Sequence, residues 1–279
     1  MTKFADLHIH TYYSDSTFSP EEVIDHARAK DLSAIAICDH DSIDGVEPCV
    51  TLGKACGIEV LSGIELTIEK PDVEIHILGY LIDGKFDWLR KRLKEIQEYR
   101  IKRIHKMIEK LSAQNVFITA EDVFKVAGKG SVGRLHLARA MINSGGVKTF
   151  WDAFDKYIGF GKPSYVPNIR FTPQDAISMV LDAGGVPVLA HPGIMNRDDY
   201  IPELVSYGLK GIEVYHTDHG SVKRKHYEEV AASLGLLMTG GSDCHGMGKG
   251  RALIGTVRIP YELVEKLKDK SEEIRNGKR

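Results

Sequence analysis

The sequence predicts an α/β protein built as a distorted (β/α)7 barrel with an inserted, mainly helical cap. Seven short apolar runs each end in histidine or carboxylate side chains, helix-start signals separate several of these runs, and the segment 83–167 interrupts the alternation. Strand-helix repetition favours parallel strands. Strands that all present polar groups at one end favour a barrel over an open sheet.

The first run has the period of an extended strand. In Phe4–His10, polar and apolar residues alternate, so Asp6, His8 and His10 share one face. Two imidazoles spaced in this way at the end of a rigid element can bind one metal ion from the same side. Taken alone, the pair is equally compatible with surface histidines on an edge strand. The other six runs end at or near His40, Glu65, His76, His191, His216 and His245.

Helix signals complete the barrel prediction, which covers residues 1–82 and 168–279. Ser19 is a candidate N-cap, followed by Pro20 at the first helical position and two glutamates in the first turn. Thr172 and Pro173 repeat this signal before a second helix. The carboxyl ends of barrel strands form one mouth, where reactive groups belong.

Residues 83–167 are predicted to form the inserted cap, because an insertion between strand ends emerges near the mouth. Apolar residues recur at three- and four-residue intervals from Leu89 to Leu111, with a slip between Ile96 and Ile101 that predicts a rotated stripe or a bent helix. Nine lysines and arginines lie between Arg90 and Lys110. We interpret them as a solvated helix face in preference to a nucleic-acid track.

Composition excludes several classes of protein. The formal net charge of −2 provides no global basic field for duplex nucleic acid. No stretch is apolar enough to span a bilayer and no signal region precedes the first strand, so we expect a cytoplasmic protein without a membrane partner. The four cysteines lack CxxC spacing and are expected to be reduced. Cys244 should pack away from its neighbours Asp243 and His245.

Nine side chains of the kinds that bind metals lie at or just beyond the predicted strands. They are six histidines and three carboxylates: His8, His10, Asp15, His40, Glu65, His76, His191, Asp243 and His245. Because strand ends converge in a barrel, these side chains should meet. So many ligands from separate strands favour a polynuclear metallohydrolase.

These residues resemble a known family. The set His8-x-His10, Asp15, Asp39-His40-Asp41, Gly63-x-Glu65, His76, His191-Pro192 and Asp243-x-His245 is similar to the polymerase-and-histidinol-phosphatase (PHP) metallophosphoesterases over nearly the entire chain. Gly133–His136, Gly161–Pro167 and Ile212–Tyr215 resemble the subgroup that acts on 3′,5′-nucleoside bisphosphates, which includes a 5′→3′ exoribonuclease. In Ser14-Asp15-Ser16, a serine takes the place of the glycine in the family's Ser-Asp-Gly. This difference would alter the loop carrying Asp15 without removing the ligand.

The resemblance implies three divalent transition metal ions. Mn²⁺ is the first choice and Zn²⁺ or Fe²⁺ the alternatives, since mixed imidazole and carboxylate ligands do not suit Ca²⁺. The resemblance places His8, His10, Glu65 and Asp243 around the first ion. Glu65 would bridge to a second ion held by His76 and His191, and Asp15, His40 and His245 would hold the third. Asp39 and Asp41 would not be ligands themselves but would orient His40 by fixing its other ring nitrogen.

The implied nucleophile is a metal-bridging hydroxide, so no protein nucleophile is required. A Ser-His-Asp relay is disfavoured, because Ser242, Asp243 and His245 lie at one strand end and leave no oriented relay between them. Arg134 and Lys162 are candidates for binding a second phosphate. His216 and His219 are candidates for substrate binding, and His216 also for the acid that protonates the leaving oxygen.

The sequence is compatible with three functions. The preferred one is a phosphoesterase acting on 3′,5′-nucleoside bisphosphates, with possible trimming of short single-stranded RNA and no action on duplex DNA. The second is a phosphatase for another small metabolite, such as histidinol phosphate. The third is a non-catalytic, metal-stabilised module, which a degraded ligand set would favour; here all nine positions are filled. The sequence predicts no oligomeric state.

Overall fold

The protein is represented by a computed structural model that describes residues 2–167, 171–248 and 250–277. Its strands form one eight-stranded sheet in the order β7-β6-β5-β4-β3-β2-β1-β8. The strands are β1 (Phe4–Ile9), β2 (Ala34–Ile37), β3 (Glu59–Lys70), β4 (Val73–Tyr80), β5 (Val186–Leu189), β6 (Gly211–His216), β7 (Leu237–Gly241) and β8 (Ile259–Pro260).

Helices connect and cover the strands. They are α1 (Pro20–Ala29), α2 (Val46–Cys56), α3 (Asp87–Ser112), α4 (Ala120–Ala127), α5 (Arg134–Asn143), α6 (Phe150–Ala153), α7 (Pro173–Asp182), α8 (Pro192–Met195), α9 (Ile201–Ser206), α10 (Ser221–Leu234) and α11 (Glu262–Asn276). Both predicted helix starts are confirmed, because Ser19 and Thr172 each form a capping box with the third residue of their helix. These boxes fix where α1 and α7 begin.

The sheet nearly closes into the predicted barrel where β7 meets β1. The backbone N–H of His10 donates to the carbonyl of Cys244 at 3.1 Å, and Ile9 and Cys244 form an isolated parallel bridge. A Cβ atom on Gly241 would lie 2.3 Å from the backbone nitrogen of His8, so only glycine permits this approach. The closure brings His8 and His10 beside the ligands that follow β7.

The expectation of parallel strands is wrong at β4. This strand pairs antiparallel with β3 from Gly63–Tyr80 to Lys70–Val73, and antiparallel with β5. The reason lies in the connection between β3 and β4, where Pro71 and Asp72 are too few residues for a helical crossover. Glu65 and His76 therefore project from inside a long hairpin and not from strand ends.

Helix α3 runs without interruption through the predicted slip. Its buried residues include Ile96, Arg100, Arg103 and Ile104, whereas Ile101 is 42% exposed. The buried stripe of α3 continues through Arg100 and Arg103. A pattern of hydrophobic residues cannot reveal that charged residues are buried. The interpretation of Arg90–Lys110 as a wholly solvated face is wrong for these two arginines.

The segment 83–167 has an apolar cluster of its own, with Met107, Leu111, Leu137 and Met141 fully buried. The predicted start of the second barrel segment, residue 168, lies outside the described residues. All four cysteines are free, and Cys244 packs with Ile9 and Ile37 away from the mouth, as expected. In the part of the chain that is described, no helix combines the length and apolarity needed to cross a bilayer.

Candidate active site

The structure brings the nine predicted ligands together at one end of the barrel. His8 lies on β1 and His10 directly follows that strand, Glu65 lies on β3 and His76 on β4, and the others lie in loops. Neighbouring imidazole centroids are close, at 5.1 Å for His8 and His10, 4.2 Å for His10 and His245, and 5.0 Å for His76 and His191. The predicted shared face of His8 and His10 places their Nε2 atoms 3.2 Å apart.

Glu65 lies at the centre of this cluster and is 1% exposed. Its Oε1 is 2.8 Å from Nδ1 of His76 and 2.9 Å from Nε2 of His191. Its Oε2 is 3.4 Å from Nε2 of His8, 3.3 Å from Nε2 of His10 and 3.2 Å from Nδ1 of His40. One carboxylate is therefore surrounded by five imidazoles.

The distances around Oε2 of Glu65 fit metal ligation better than hydrogen bonding. This oxygen is buried and lacks a hydrogen-bond partner among the described residues, although three ring nitrogens surround it. Oδ1 of Asp15 is buried in the same way, 3.3 Å from Nε2 of His245. Two ligands about 2.1 Å from one ion lie roughly 3.0 to 3.4 Å apart in octahedral or tetrahedral geometry. The donor atoms are thus spaced for shared cations.

Among the described residues, three overlapping groups of donor atoms, each within 4.8 Å, could hold ions. The groups are His8, His10, Glu65 and Asp243; His10, Asp15, His40 and His245; and His40, Glu65 and His76. The first has the membership that the family resemblance implies. The second group differs from the implied set by including His10, and the third by including His40 in place of His191. His191 instead contacts Oε1 of Glu65.

The electrostatics favour metal-binding protonation states at Glu65 and His40, but not at His10 and His76, where burial lowers the pKa and neighbouring carboxylates outweigh it and raise it to about 9 and about 10. Burial raises the pKa of Glu65, but the imidazoles of His40, His76 and His8 outweigh it and hold that pKa well below its usual range. Burial lowers the pKa of His40 well below its usual value. An ionised carboxylate and a neutral imidazole are the forms that bind metal.

Glu213 supports two of the ligands, and sequence reasoning missed it as a site residue. It is fully buried on β6, where Oε1 accepts a hydrogen bond from Nδ1 of His8 at 3.0 Å and Oε2 accepts one from the backbone N–H of His191 at 2.8 Å. The first bond leaves the Nε2 lone pair of His8 facing the cluster. A carboxylate inside an apolar strand was the signal available in the sequence.

Asp39 and Asp41 act differently from the expectation that they orient His40. Asp39 accepts hydrogen bonds from the backbone N–H of Thr11 at 2.7 Å and from the hydroxyl of Ser14 at 2.6 Å, which fixes the loop carrying Asp15. Asp41 pairs with Nε of Arg100 at 2.5 Å. Nδ1 of His40 instead faces Glu65. The two aspartates thus brace the loop and α3.

A cavity of about 300 Å³ opens above the ligands, and one wall carries arginines. Arg134 begins α5, pairs with Glu74 and lies 5.6 Å from the ring centroids of both Phe154 and Tyr165. Arg100 and Arg103 also line the cavity. Sequence reasoning selected only Arg134 among these three.

Lys162 lies elsewhere, contrary to the expectation that it joins Arg134. Its side chain is 40% exposed and pairs with Asp155 at 3.0 Å on the surface of the inserted segment. Its charge is therefore already screened by solvent and by a carboxylate. The structure gives Lys162 no position against the cavity wall.

His216 and His219 are both buried beside the cluster. Nδ1 of His216 accepts a hydrogen bond from the backbone N–H of Asp218 at 3.1 Å, so Nε2 carries the proton and faces Oδ2 of Asp243 at 3.6 Å. Both ring nitrogens of His219 bond to backbone, at 2.9 Å to the carbonyl of Val214 and 3.0 Å to the N–H of Gly193. The structure therefore gives His219 a structural role in place of the expected substrate contact.

His136 makes stability depend on pH. Burial lowers its pKa from 6.5 to about 4, and its Nδ1 accepts a hydrogen bond from Gly133 at 3.1 Å. Between those pH values the unfolded chain binds more protons, so stability falls as the pH falls. From pH 7 to pH 5, the unfolding free energy of the wild type relative to His136→Asn should decrease by about 2 kcal/mol. Urea unfolding measures this, and identical pH dependence in both proteins would contradict it.

Comparison with known proteins decides the family. The PHP domain family matches residues 6–160 of this chain. A 3′,5′-nucleoside bisphosphate phosphatase from Chromobacterium violaceum is 32% identical over 256 residues, which cover 90% of each chain. The chain belongs to the PHP family.

Two further relatives agree with this assignment. The PHP protein described here is 30% identical to a 5′-3′ exoribonuclease from Haemophilus influenzae, over 94% of this chain and 99% of that protein. The structure of a metal-dependent phosphoesterase from Bifidobacterium adolescentis has a TM-score of 0.87 and 30% identity, covering 95% of this chain and 96% of its own. The barrel prediction is confirmed, and the protein is a metal-dependent phosphoric ester hydrolase.

Proposed function

We propose that this PHP protein removes a terminal phosphate from 3′,5′-nucleoside bisphosphates. The observation that carries the proposal is the pairing of an arginine wall with a floor of metal-ligand atoms in one cavity. A substrate with two phosphates can present one to each surface. The relative from Chromobacterium violaceum, whose name specifies such substrates, supports the same choice.

Three divalent ions, Mn²⁺ in the first place, would occupy the overlapping donor groups. His8, His10, Glu65 and Asp243 would hold one, and the remaining histidines with Asp15 would hold the others, with Glu65 shared. Such ions supply the Lewis acidity that activates water and neutralises phosphate oxygens. Glu213 and Asp39 keep the ligands in place through the hydrogen bonds described above.

Arg134 is the residue that we assign to the second phosphate. Oε1 of Glu74 contacts Arg134 and also lies 3.3 Å from Nε2 of His76. Only the carboxylate of Glu74 therefore separates the guanidinium of Arg134 from the metal ligand His76. Its planar fork can bind two phosphate oxygens. The segment 83–167, which supplies Arg134, would serve as the cap that encloses the substrate.

Short single-stranded RNA is a second candidate substrate. The exoribonuclease from Haemophilus influenzae matches nearly the full length of both chains. The first nucleotide of a 5′-phosphorylated RNA carries a 5′-phosphate and a 3′-phosphodiester, which are the positions of the two phosphates in a 3′,5′-bisphosphate. Duplex would not fit a cavity of about 300 Å³ between barrel and cap.

Steady-state phosphate release with added Mn²⁺ tests the proposal. The panel contains 3′,5′-adenosine bisphosphate, histidinol phosphate, AMP and short 5′-phosphorylated RNA, with a Glu65→Gln preparation as the control for contaminating phosphatases. We expect the highest kcat/KM for the bisphosphate. A higher kcat/KM for histidinol phosphate would favour the other metabolite phosphatase and reject this assignment.

A further inference from the structure

A second cavity of about 280 Å³ adjoins the cavity above the ligands. Glu74, His76, His191 and Ile194 line both, so we treat the two cavities as two arms of one site. We call the part lined by Arg100, Arg103 and Arg134 the phosphate arm, and the part lined by Phe160 and Met195 the side arm. A ligand held at the metal ligands can reach into both.

The two arms differ in charge. All three arginines line the phosphate arm. Among the described residues that line the side arm there is no lysine or arginine, and its acidic members are Asp72 and Glu74. Each of these carboxylates is already paired with an arginine, Asp72 with Arg197 and Glu74 with Arg134, so the side arm offers a phosphate group no uncompensated positive charge. The side arm therefore suits an uncharged part of the substrate.

The side arm also presents unusual apolar surface. Phe160 is 39% exposed and Ile194 is 52% exposed, although both are large hydrophobic residues. The ring of Phe160 packs against Tyr165, with centroids 5.2 Å apart, which limits its motion. A partly exposed, supported aromatic ring beside a catalytic cavity is suited to stacking on a flat ligand.

We propose that the side arm binds the nucleobase of the substrate, with Phe160 as its stacking partner and Ile194 contributing apolar contact. The proposal rests on the proposed function, in which the phosphates occupy the metal ligands and Arg134. It divides the site by chemistry, with anions on the arginine side and the uncharged base on the apolar side. Phe160 thus becomes a specificity-determining residue.

Competition experiments test the base site independently of bisphosphate hydrolysis. AMP and ribose 5-phosphate carry the same sugar phosphate, and only AMP has a base. Each is measured as an inhibitor of aryl phosphate hydrolysis by the Mn²⁺-loaded protein. Stacking on an aromatic ring should make AMP bind about 5- to 150-fold more tightly.

Phe160→Ala should remove most of this difference by weakening AMP alone, and Phe160→Tyr should retain it. Phe117→Ala is the matched control, because Phe117 is a 71% exposed phenylalanine of the same segment and does not line either arm. Equal inhibition by AMP and ribose 5-phosphate in the wild type would overturn the base site. So would equal weakening of both inhibitors in Phe160→Ala.

The same proteins separate this proposal from the proposed function. Hydrolysis of adenosine bisphosphate is compared with hydrolysis of the corresponding sugar bisphosphate that lacks the base, each measured as kcat/KM. Hydrolysis of both at equal rates would reject the base site and leave the bisphosphatase assignment standing. Tight, Phe160-dependent inhibition by AMP without bisphosphate hydrolysis would support the base site and reject the bisphosphatase assignment.

Discussion

Replacing Glu65 by Gln should cause the greatest loss of activity of any single conservative change. Five imidazoles surround this carboxylate, and the amide removes the negative charge that would offset repulsion between neighbouring cations. We expect kcat to fall by more than about 100-fold, beyond the 10- to 100-fold typical of residues that only orient ligands. Elemental analysis should find about three ions per chain in the wild type and one or none in the variant.

Glu59→Gln is the matched control for Glu65→Gln. Glu59 begins the same strand, but it pairs with Lys268 at 2.6 Å on the far side of the barrel. Its replacement should leave metal content and kcat within about twofold, as for an exposed ion pair. A Glu65→Gln protein that retained three ions and nearly full activity would show that this carboxylate does not bridge.

Replacing Arg134 should separate two classes of substrate. Removal of a charged hydrogen-bond donor to phosphate costs about 1.5 to 3 kcal/mol, so kcat/KM for the bisphosphate should fall roughly 10- to 150-fold. An aryl phosphate has no second phosphate and should lose less than about threefold. The substitution is best made as Arg134→Met with Glu74→Gln, because the single variant would leave the partly buried carboxylate of Glu74 without its arginine partner.

Glu74→Gln alone and Lys162→Met are the controls for this experiment. Lys162 is exposed and paired with Asp155, so its replacement should change both substrates by less than about twofold. The Glu74→Gln protein measures what the missing carboxylate contributes through its contact with His76. If the double variant loses the same factor on both substrates, Arg134 acts on the hydrolysed phosphate or on folding.

The metal cluster was predictable because alternation and strand ends determine where a side chain points. His8 and His10 follow from the period of β1, and the loops after β2, β5 and β7 follow from barrel architecture. Assigning a direction to β4 required attention to the two residues between it and β3. The apolar runs themselves do not distinguish the two directions, because they look alike in parallel and antiparallel strands.

The arginine wall was not predictable from hydrophobic periodicity. Arg100 and Arg103 are 6% and 5% exposed, but a charged residue is assigned to solvent unless its partner is known. Those partners, Asp41 and Glu69, lie 59 and 34 residues away. Only the folded chain brings such distant charges together.

Helix α3 connects the barrel with the inserted segment that roofs the active site. Its 26 residues extend about 39 Å, with Leu93 in the barrel core and Met107 in the core of the inserted segment. Swinging that segment away would break the helix near Arg100 and separate this arginine from Asp41. Helix α3 therefore joins the inserted segment to the barrel as one continuous element, and opening the site by a hinge would cost this helix and its buried ion pair.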